Sequence, residues 1–364
     1  LLHVLAQVVL HAEHAQQTAV VEDDIRQATG ADLVPVFGEP KTWRTGTLAD
    51  GSPAELPARF RPQLQPDGSR VVFDDAGNIT FKMPKRGHYF DPVYAPLAEA
   101  TSIRDIDQHM TAIATFDTPA HLDKSYEELA EEARTLREST DYALVGYFGG
   151  HVLQGGQVLR GWEEFLMDLL KNKGFAHALM ARLTEAHLER FERFAATIAP
   201  FVDVIQFEED LGMQDRPLMR PEVYREMIKP YYARIGGCLE KHNLHWWLHS
   251  CGNNTSIMDD LIVVGVDVFH PVQKGTMDEV AVAQEYGDRM TFLVGFDVQH
   301  ILPEGSPEQI RAEVRHLIDT FDRPDGGLCL AAGNGILPDT PLDNIDAFLD
   351  EVLRYGEEHR QQFA

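Results

Sequence analysis

The sequence has few cysteines, few basic residues and no long hydrophobic run, and each shortage argues against a class of protein. Three cysteines among 364 residues cannot build a disulfide framework, and they are typical of a reducing cytoplasm. Lys and Arg total 32 against 58 Asp and Glu, so the net charge of −26 repels nucleic acid and anionic membranes. No run of 18 apolar residues occurs, which argues against a membrane-spanning helix. We therefore expect a cytoplasmic protein with neither nucleic acid nor a membrane as partner.

From about residue 140 onward, short apolar runs alternate with amphipathic helical segments. The runs are "DYALVGYFGG", "VDVIQFEEDLG", "LHWWLHSCG", "VDVFHPVQ", "MTFLVGFDVQ" and "GGLCLAAGNG". Strict alternation predicts βαβ units and a parallel sheet. Because no glycine-rich phosphate motif follows the early strands, an α/β fold of the closed (β/α)8 TIM type is favoured over an open doubly wound sheet.

The first 100 residues are predicted to form an N-terminal extension of a single domain that spans residues 1–364. Apolar residues near helical spacing predict helices over the first 30 residues, and the lack of an initiator Met leads us to expect residues upstream. The stretch "SRVVFDDAGNITFKM" predicts a β-hairpin, and Ser102 is a predicted helix N-cap.

Polar side chains recur at the carboxyl ends of the predicted strands, where barrel enzymes place their active sites. One such side chain is weak evidence because loops are polar anyway, but recurrence at nearly every strand end predicts a functional cleft. The residues are Glu208, Glu209, Asp210, His249, Cys251, His270, Gln273, Asp297, Gln299, His300 and Asn334.

His249 and Cys251 form the most informative pair. Residues two apart on a strand point to the same face, so both side chains can reach one ion, and imidazole with thiolate suits zinc. The alternative is a buried free cysteine beside a hydrogen-bonded histidine. A catalytic zinc site usually has three protein ligands. The remaining candidates are Glu209, Asp210, His270, Asp297 and, deeper in its strand, Cys329, whereas Cys238 lies in a predicted helix and is expected in the core.

Several motifs resemble the uroporphyrinogen decarboxylase superfamily, and within it the methyltransferase-like branch. They lie between about residues 70 and 355: "GHYFDPVYAPLAEA", "EEDLGMQDRPLMRPEVYREMIKPYYARI", "LHSCGNNTSIMDDLIVVGVDVFHPVQ", "GFDVQHILPEGSPEQIR" and "GNGILPDTPLDNIDAF". The resemblance implies a distorted (β/α)8 barrel with its cleft at the strand carboxyl ends. The arginine-rich N-terminal motif of true decarboxylases is not found in this sequence.

The His-x-Cys-Gly motif at residues 249–252 is similar to the zinc site of corrinoid-dependent methyltransferases. The resemblance implies zinc-dependent methyl transfer between a small methylated substrate, such as a methyl ether, and a thiol or a corrinoid on a small partner protein. A homodimer is also expected. The assigned roles are metal binding for His249, Cys251 and His270, catalysis for Glu209, Asp210 and Asp297, and substrate binding for Gln273, Gln299 and Asn334.

The sequence departs from this pattern at Asn334, where coenzyme M methyltransferases have Cys and other relatives have His. Either His270 replaces the missing ligand, or no metal binds. A metal-independent decarboxylase or lyase for a small carboxylate or a tetrapyrrole is the second hypothesis, and Arg216 or Arg220 would then bind the acid unless they only balance nearby acids. A non-catalytic corrinoid- or tetrapyrrole-binding protein is the third.

Overall fold

The computed structural model describes ten stretches of the chain. These are residues 3–5, 26–27, 29–36, 41–47, 53–58, 60–74, 76–87, 89–115, 124–337 and 339–363. Most of the predicted N-terminal helical segment lies outside the described residues, and within it His3–Leu5 form a strand. A short apolar run fits a strand as well as a helix, and pairing with a neighbouring strand decides between them.

Fourteen strands are present in the described ranges. They are β1 His3–Leu5, β2 Leu33–Val36, β3 Trp43–Thr47, β4 Pro53–Pro57, β5 Gln63–Leu64, β6 Arg70–Phe73, β7 Ile79–Met83, β8 Asp91–Pro92, β9 Ala143–Tyr147, β10 Val204–Glu208, β11 His245–His249, β12 Val268–His270, β13 Thr291–Phe296 and β14 Leu328–Ala332. The predicted hairpin is confirmed as the antiparallel pair β6 and β7, which lies within a four-stranded sheet formed by β5 to β8.

Thirteen α-helices whose two ends are both described accompany the strands. They are α1 Ile103–Gln108, α2 Met110–Thr115, α3 Tyr126–Ser139, α4 Leu153–Arg160, α5 Trp162–Lys171, α6 Lys173–Ile198, α7 Pro221–Met227, α8 Lys229–Lys241, α9 Met258–Val263, α10 Glu279–Tyr286, α11 Ile301–Glu304, α12 Pro307–Phe321 and α13 Leu342–Arg360. Ser102 precedes α1, as predicted, and its backbone N–H donates to the Asp105 carboxylate at 2.8 Å.

The eight-stranded sheet is parallel and forms the barrel wall, in the order β1, β14, β13, β12, β11, β10, β9, β2. Its two end strands approach within 8 Å of each other at Cα, so the sheet curls into the predicted distorted barrel. Both end strands come from the N-terminal extension, which therefore contributes to the barrel itself. The apolar layer inside the barrel comprises Leu33, Val145, Val204, Trp247, Val268, Leu293, Cys329 and Ala331.

The last two long helices are joined by a buried acid. The Glu351 carboxylate on α13 is fully buried, and it accepts hydrogen bonds from three arginines of α12 and α13, Arg311, Arg315 and Arg354.

Among the described helices, none is both long enough and apolar enough to cross a membrane.

Candidate functional site

The site lies where β10, β11 and β12 end, and the strand register brings their last residues to one level. Glu208 pairs with His249, and His249 pairs with His270. Trp247 belongs to the interior layer, so His249, two residues later, faces the barrel axis at its carboxyl end. Parallel pairing in this register explains why side chains distant in sequence meet.

Three candidate metal ligands converge at this level: Asp210, His249 and Cys251. One ligand atom from each lies within 4.8 Å of the others, and Asp210 is exposed while the other two are partly buried. His249 Nε2 lies 3.4 Å from Cys251 Sγ, and Asp210 Oδ1 accepts a 2.9 Å hydrogen bond from the Cys251 backbone N–H. Burial, and after it the Asp210 charge, raises the pKa of the Cys251 thiol to about 12.

Close packing between the loop around Gly212 and the loop around Gly252 holds Cys251 in place. Gly252 has φ +83°, and a Cβ at this position would lie 2.5 Å from the backbone carbon of Gly212. The Asn254 amide donates to the carbonyls of residues 250, 251 and 252 at 3.1, 3.2 and 3.1 Å. Gln273 Oε1 accepts from the Gly252 N–H at 2.7 Å. The loop of residues 250–252 is therefore held in place by both Asn254 and Gln273. Such support is a condition for a precise binding site.

His270 lies behind His249. Its Nε2 faces the Ala332 carbonyl at 3.3 Å, and its Nδ1 is 2.7 Å from His249 Nδ1. Burial, reinforced by His249, holds the pKa of His270 well below its usual range, so the ring is neutral. Because a carbonyl only accepts, His270 donates from Nε2 and accepts at Nδ1. His249 Nδ1 then donates to His270, and Nε2 is the His249 nitrogen that faces Cys251.

This arrangement is the one expected of a metal-binding histidine, whose second nitrogen donates to a neighbouring group. His270 therefore orients His249, and both of its own nitrogens are engaged. Its role as the third ligand stays a prediction that this geometry does not favour, since the ligand atoms that lie within 4.8 Å of one another belong to Asp210, His249 and Cys251. Asp210 lies two residues beyond Glu208, which pairs with His249, so it is level with Cys251 beside the end of β11.

Glu209 supports the neighbouring loop. Its buried carboxylate accepts hydrogen bonds from the backbone N–H groups of residues 152, 153 and 154, where α4 begins. Burial raises the pKa of Glu209 to about 7, against the opposing influence of His151 and these N–H donors. His151 lies four residues beyond the end of β9, after two glycines. It is not among the site residues predicted from the sequence, although a histidine that follows a predicted strand indicates a position at the carboxyl end of the barrel.

The other predicted site residues lie at the same end of the barrel with different contacts. The Asp297 carboxylate accepts from three backbone N–H groups of residues 299–301, which begin α11. Asn334 Nδ2 is 3.6 Å from Cys251 Sγ, so this side chain borders the cluster. Cys329 packs inside the barrel instead. Arg216 forms an exposed pair with Asp215 at 2.9 Å, so it balances a local acid. Gln299 contacts Asp297 through its backbone, whose N–H donates to Asp297 Oδ1 at 2.8 Å.

Comparison with known proteins agrees with the barrel fold. The family model described as Uroporphyrinogen decarboxylase (URO-D) matches residues 98–355. The chain belongs to this family. A uroporphyrinogen decarboxylase from Anaeromyxobacter dehalogenans is 26% identical over 226 residues, 58% of this chain and 59% of that protein. A methylcobamide:CoM methyltransferase from Methanosarcina barkeri is 26% identical over 222 residues, 60% of this chain and 61% of that protein.

A solved methyltransferase from Methanosarcina mazei has the same fold. It superposes with a TM-score of 0.53 at 20% identity, over 76% of this chain and 75% of that one. The alignments with the two curated relatives span about three fifths of their lengths. Family membership and fold are therefore shown, whereas both decarboxylation and methyl transfer occur among the relatives.

Proposed function

We propose that the chain is a zinc-dependent methyltransferase that moves a methyl group between a small methylated substrate and a corrinoid or thiol acceptor. The observation that carries this proposal is the close approach of Asp210, His249 and Cys251 at the carboxyl end of the barrel. Oxygen, nitrogen and sulfur donors suit zinc, and three protein ligands leave a fourth position for substrate. Zinc bound there would keep a thiol deprotonated and nucleophilic at neutral pH.

The residues around the cluster support this chemistry by holding the candidate metal ligands in position. His270 holds His249 in the tautomer that presents Nε2, and Gln273 holds the loop that carries Cys251. We propose that Gln273, Gln299 and Asn334 also contact the substrate, since they follow β12, β13 and β14 at the same end. We propose that Asp297 positions the substrate or supplies the proton that a departing alkoxide or phenoxide needs.

The corrinoid part of the proposal is supported by the relative from Methanosarcina barkeri, whose name specifies a methylcobamide and CoM. We propose that this chain uses a corrinoid carried by a small partner protein.

A zinc titration tests the metal site. Protein purified without metal is expected to bind one zinc at this site, and the Asp210→Asn and His249→Ala variants are expected to bind it much more weakly. Asp215→Asn is the matched control, because Asp215 lies in the same loop but is 72% exposed and pairs with Arg216. Equal zinc affinity in the Asp210→Asn and Asp215→Asn variants would exclude Asp210 as a ligand.

Methyl transfer is tested separately. The zinc-loaded protein is expected to demethylate methylcobalamin in the presence of a thiol, followed by the change in corrinoid absorbance, and Cys251→Ser is expected to abolish the reaction. Zinc binding without any exchange of methyl groups with a corrinoid would retain the metal site and overturn the methyltransferase assignment.

A metal-independent decarboxylase is the second candidate, and the family match favours it. Its carboxylate substrate would need a cation in the cleft, and the pairing of Arg216 with Asp215 removes one candidate. Release of carbon dioxide by metal-free protein from a small carboxylic acid or a porphyrinogen would support this function over methyl transfer.

A further inference from the structure

A second group of metal-ligating side chains lies between α6 and α8, away from the cleft. One ligand atom each from Glu192, Cys238 and His242 lies within 4.8 Å of the others, and all three residues are partly buried. The two oxygens of Glu192 face the two partners: Oε1 is 3.6 Å from Cys238 Sγ, and Oε2 is 2.9 Å from His242 Nε2. Cys238 packs against the hydrophobic core, as predicted, but the proposed function does not account for the approach of Glu192 and His242 to its thiol.

Helix geometry explains how the group forms. Cys238 and His242 are four residues apart at the end of α8, so their side chains lie on one face. The ring of Phe191 packs edge-on to the His242 ring at 6.1 Å, which restricts its orientation. Just beyond the helix, β11 begins at His245, while His249 ends it. The group thus lies near the opposite end of the strand that carries the candidate cleft ligands.

Lys241 forms an ion pair with Glu192 and balances its negative charge. Its ammonium lies 2.6 Å from Glu192 Oε1, but its side chain is 61% exposed and can rotate into solvent. Glu192 is itself 43% exposed, so an ion can reach the group from solvent. An exposed ion pair of this kind is a weak competitor for a metal, because its net stabilisation is small.

We propose that Cys238, His242 and Glu192 form a second zinc site, distinct from the cleft. Thiolate sulfur, imidazole nitrogen and carboxylate oxygen supply three ligands, and water completes a tetrahedral shell. Binding forms a zinc–sulfur bond and releases the Cys238 thiol proton to solvent, while Lys241 leaves Glu192. The bound ion joins α6 to the end of α8 and therefore stabilises the segment that leads into β11.

Cobalt is the probe for this site, because a cobalt–thiolate bond gives a charge-transfer band. In a His249→Ala, Cys251→Ser background, one Co²⁺ per chain is expected to bind with this band, and zinc is expected to displace it. Adding Cys238→Ser is expected to remove the band. Absence of the band in the background, or its persistence after Cys238→Ser, would overturn the proposal.

Lys241→Ala separates a metal site from a simple ion-pair network. Loss of the competing ammonium is expected to tighten metal binding about two- to fivefold, the amount that corresponds to an exposed ion pair. Weaker or unchanged binding would count against the site. If the double-variant background does not fold, wild-type protein serves instead: it is expected to bind one zinc more than Cys238→Ser, and equal stoichiometry would overturn the proposal. The result is independent of the proposed cleft function.

Discussion

Gly252 offers a direct test of how the candidate ligand loop is held. Its φ of +83° lies in the left-handed region, and a methyl group at its Cα would lie 2.5 Å from the Gly212 carbon and 2.7 Å from the Met213 nitrogen. Both neighbours are backbone atoms, so no side chain can rotate away. A Gly252→Ala substitution therefore forces apart the loops that carry Asp210 and Cys251.

The cost has two parts. An alanine in the left-handed region costs about 1–2 kcal/mol, and overpacking that cannot be relieved by a rotamer change costs about 1–3 kcal/mol more. The expected loss in the free energy of unfolding is therefore about 2–5 kcal/mol. Gly275→Ala is the matched control, because Gly275 has φ +78° and no heavy atom within 4 Å of an added Cβ. The Gly275→Ala variant is expected to lose only the about 1–2 kcal/mol that an alanine in the left-handed region costs.

Urea denaturation of the two variants measures the difference, and zinc titration measures its effect on the site. Gly252→Ala is expected to be less stable than Gly275→Ala by about 1–3 kcal/mol and to bind zinc more weakly. Equal losses of stability in both variants would refute this prediction, because they would show that the two loops accommodate the added methyl group without cost.

Zinc affinity at the cleft, measured by chelator competition in the Cys238→Ser variant, is expected to rise about tenfold per pH unit near neutral pH. The reason is that burial raises the pKa of Cys251 to about 12, so each ion displaces a proton, and a flat profile would contradict this. Burial also raises the pKa of Glu209 to about 7, so the folded state binds its proton more tightly than the unfolded chain. Its contribution to stability is present below the unfolded pKa and is lost as the pH rises through about 7. Compared with Glu209→Gln, the wild type is expected to lose at most about 3 kcal/mol between acid and neutral pH. Urea denaturation at the two pH values measures this, and parallel profiles would refute it. Glu351→Gln is expected to cost about 2 kcal/mol, because a neutral amide replaces the buried carboxylate that accepts charge-assisted hydrogen bonds from the arginines of α12 and α13. An unchanged melting temperature would disprove that estimate.

The barrel was predictable because its signals are local. Each strand from β9 to β14 coincides with a continuous apolar run, and the helices between them have clear periodicity. The N-terminal strand β1 was not predicted, because three residues carry little periodic signal and their pairing partner, β14, is more than 320 residues away. Which short segment closes a barrel depends on tertiary contacts that local propensity does not contain.

The sequence by itself determined that the metal-ligand candidates lie at strand ends, and strand parity placed His249 and Cys251 on one face. Only the tertiary structure decided which groups meet them. Asp210 approaches the pair because β10 lies beside β11, while His270 turns behind His249 to bond the Ala332 carbonyl. The second cluster shows the same limit, since Glu192 and Cys238 lie 46 residues apart and meet through the packing of α6 on α8. Spacing along the chain specifies which side chains share a face, but contact between elements depends on how the whole chain packs.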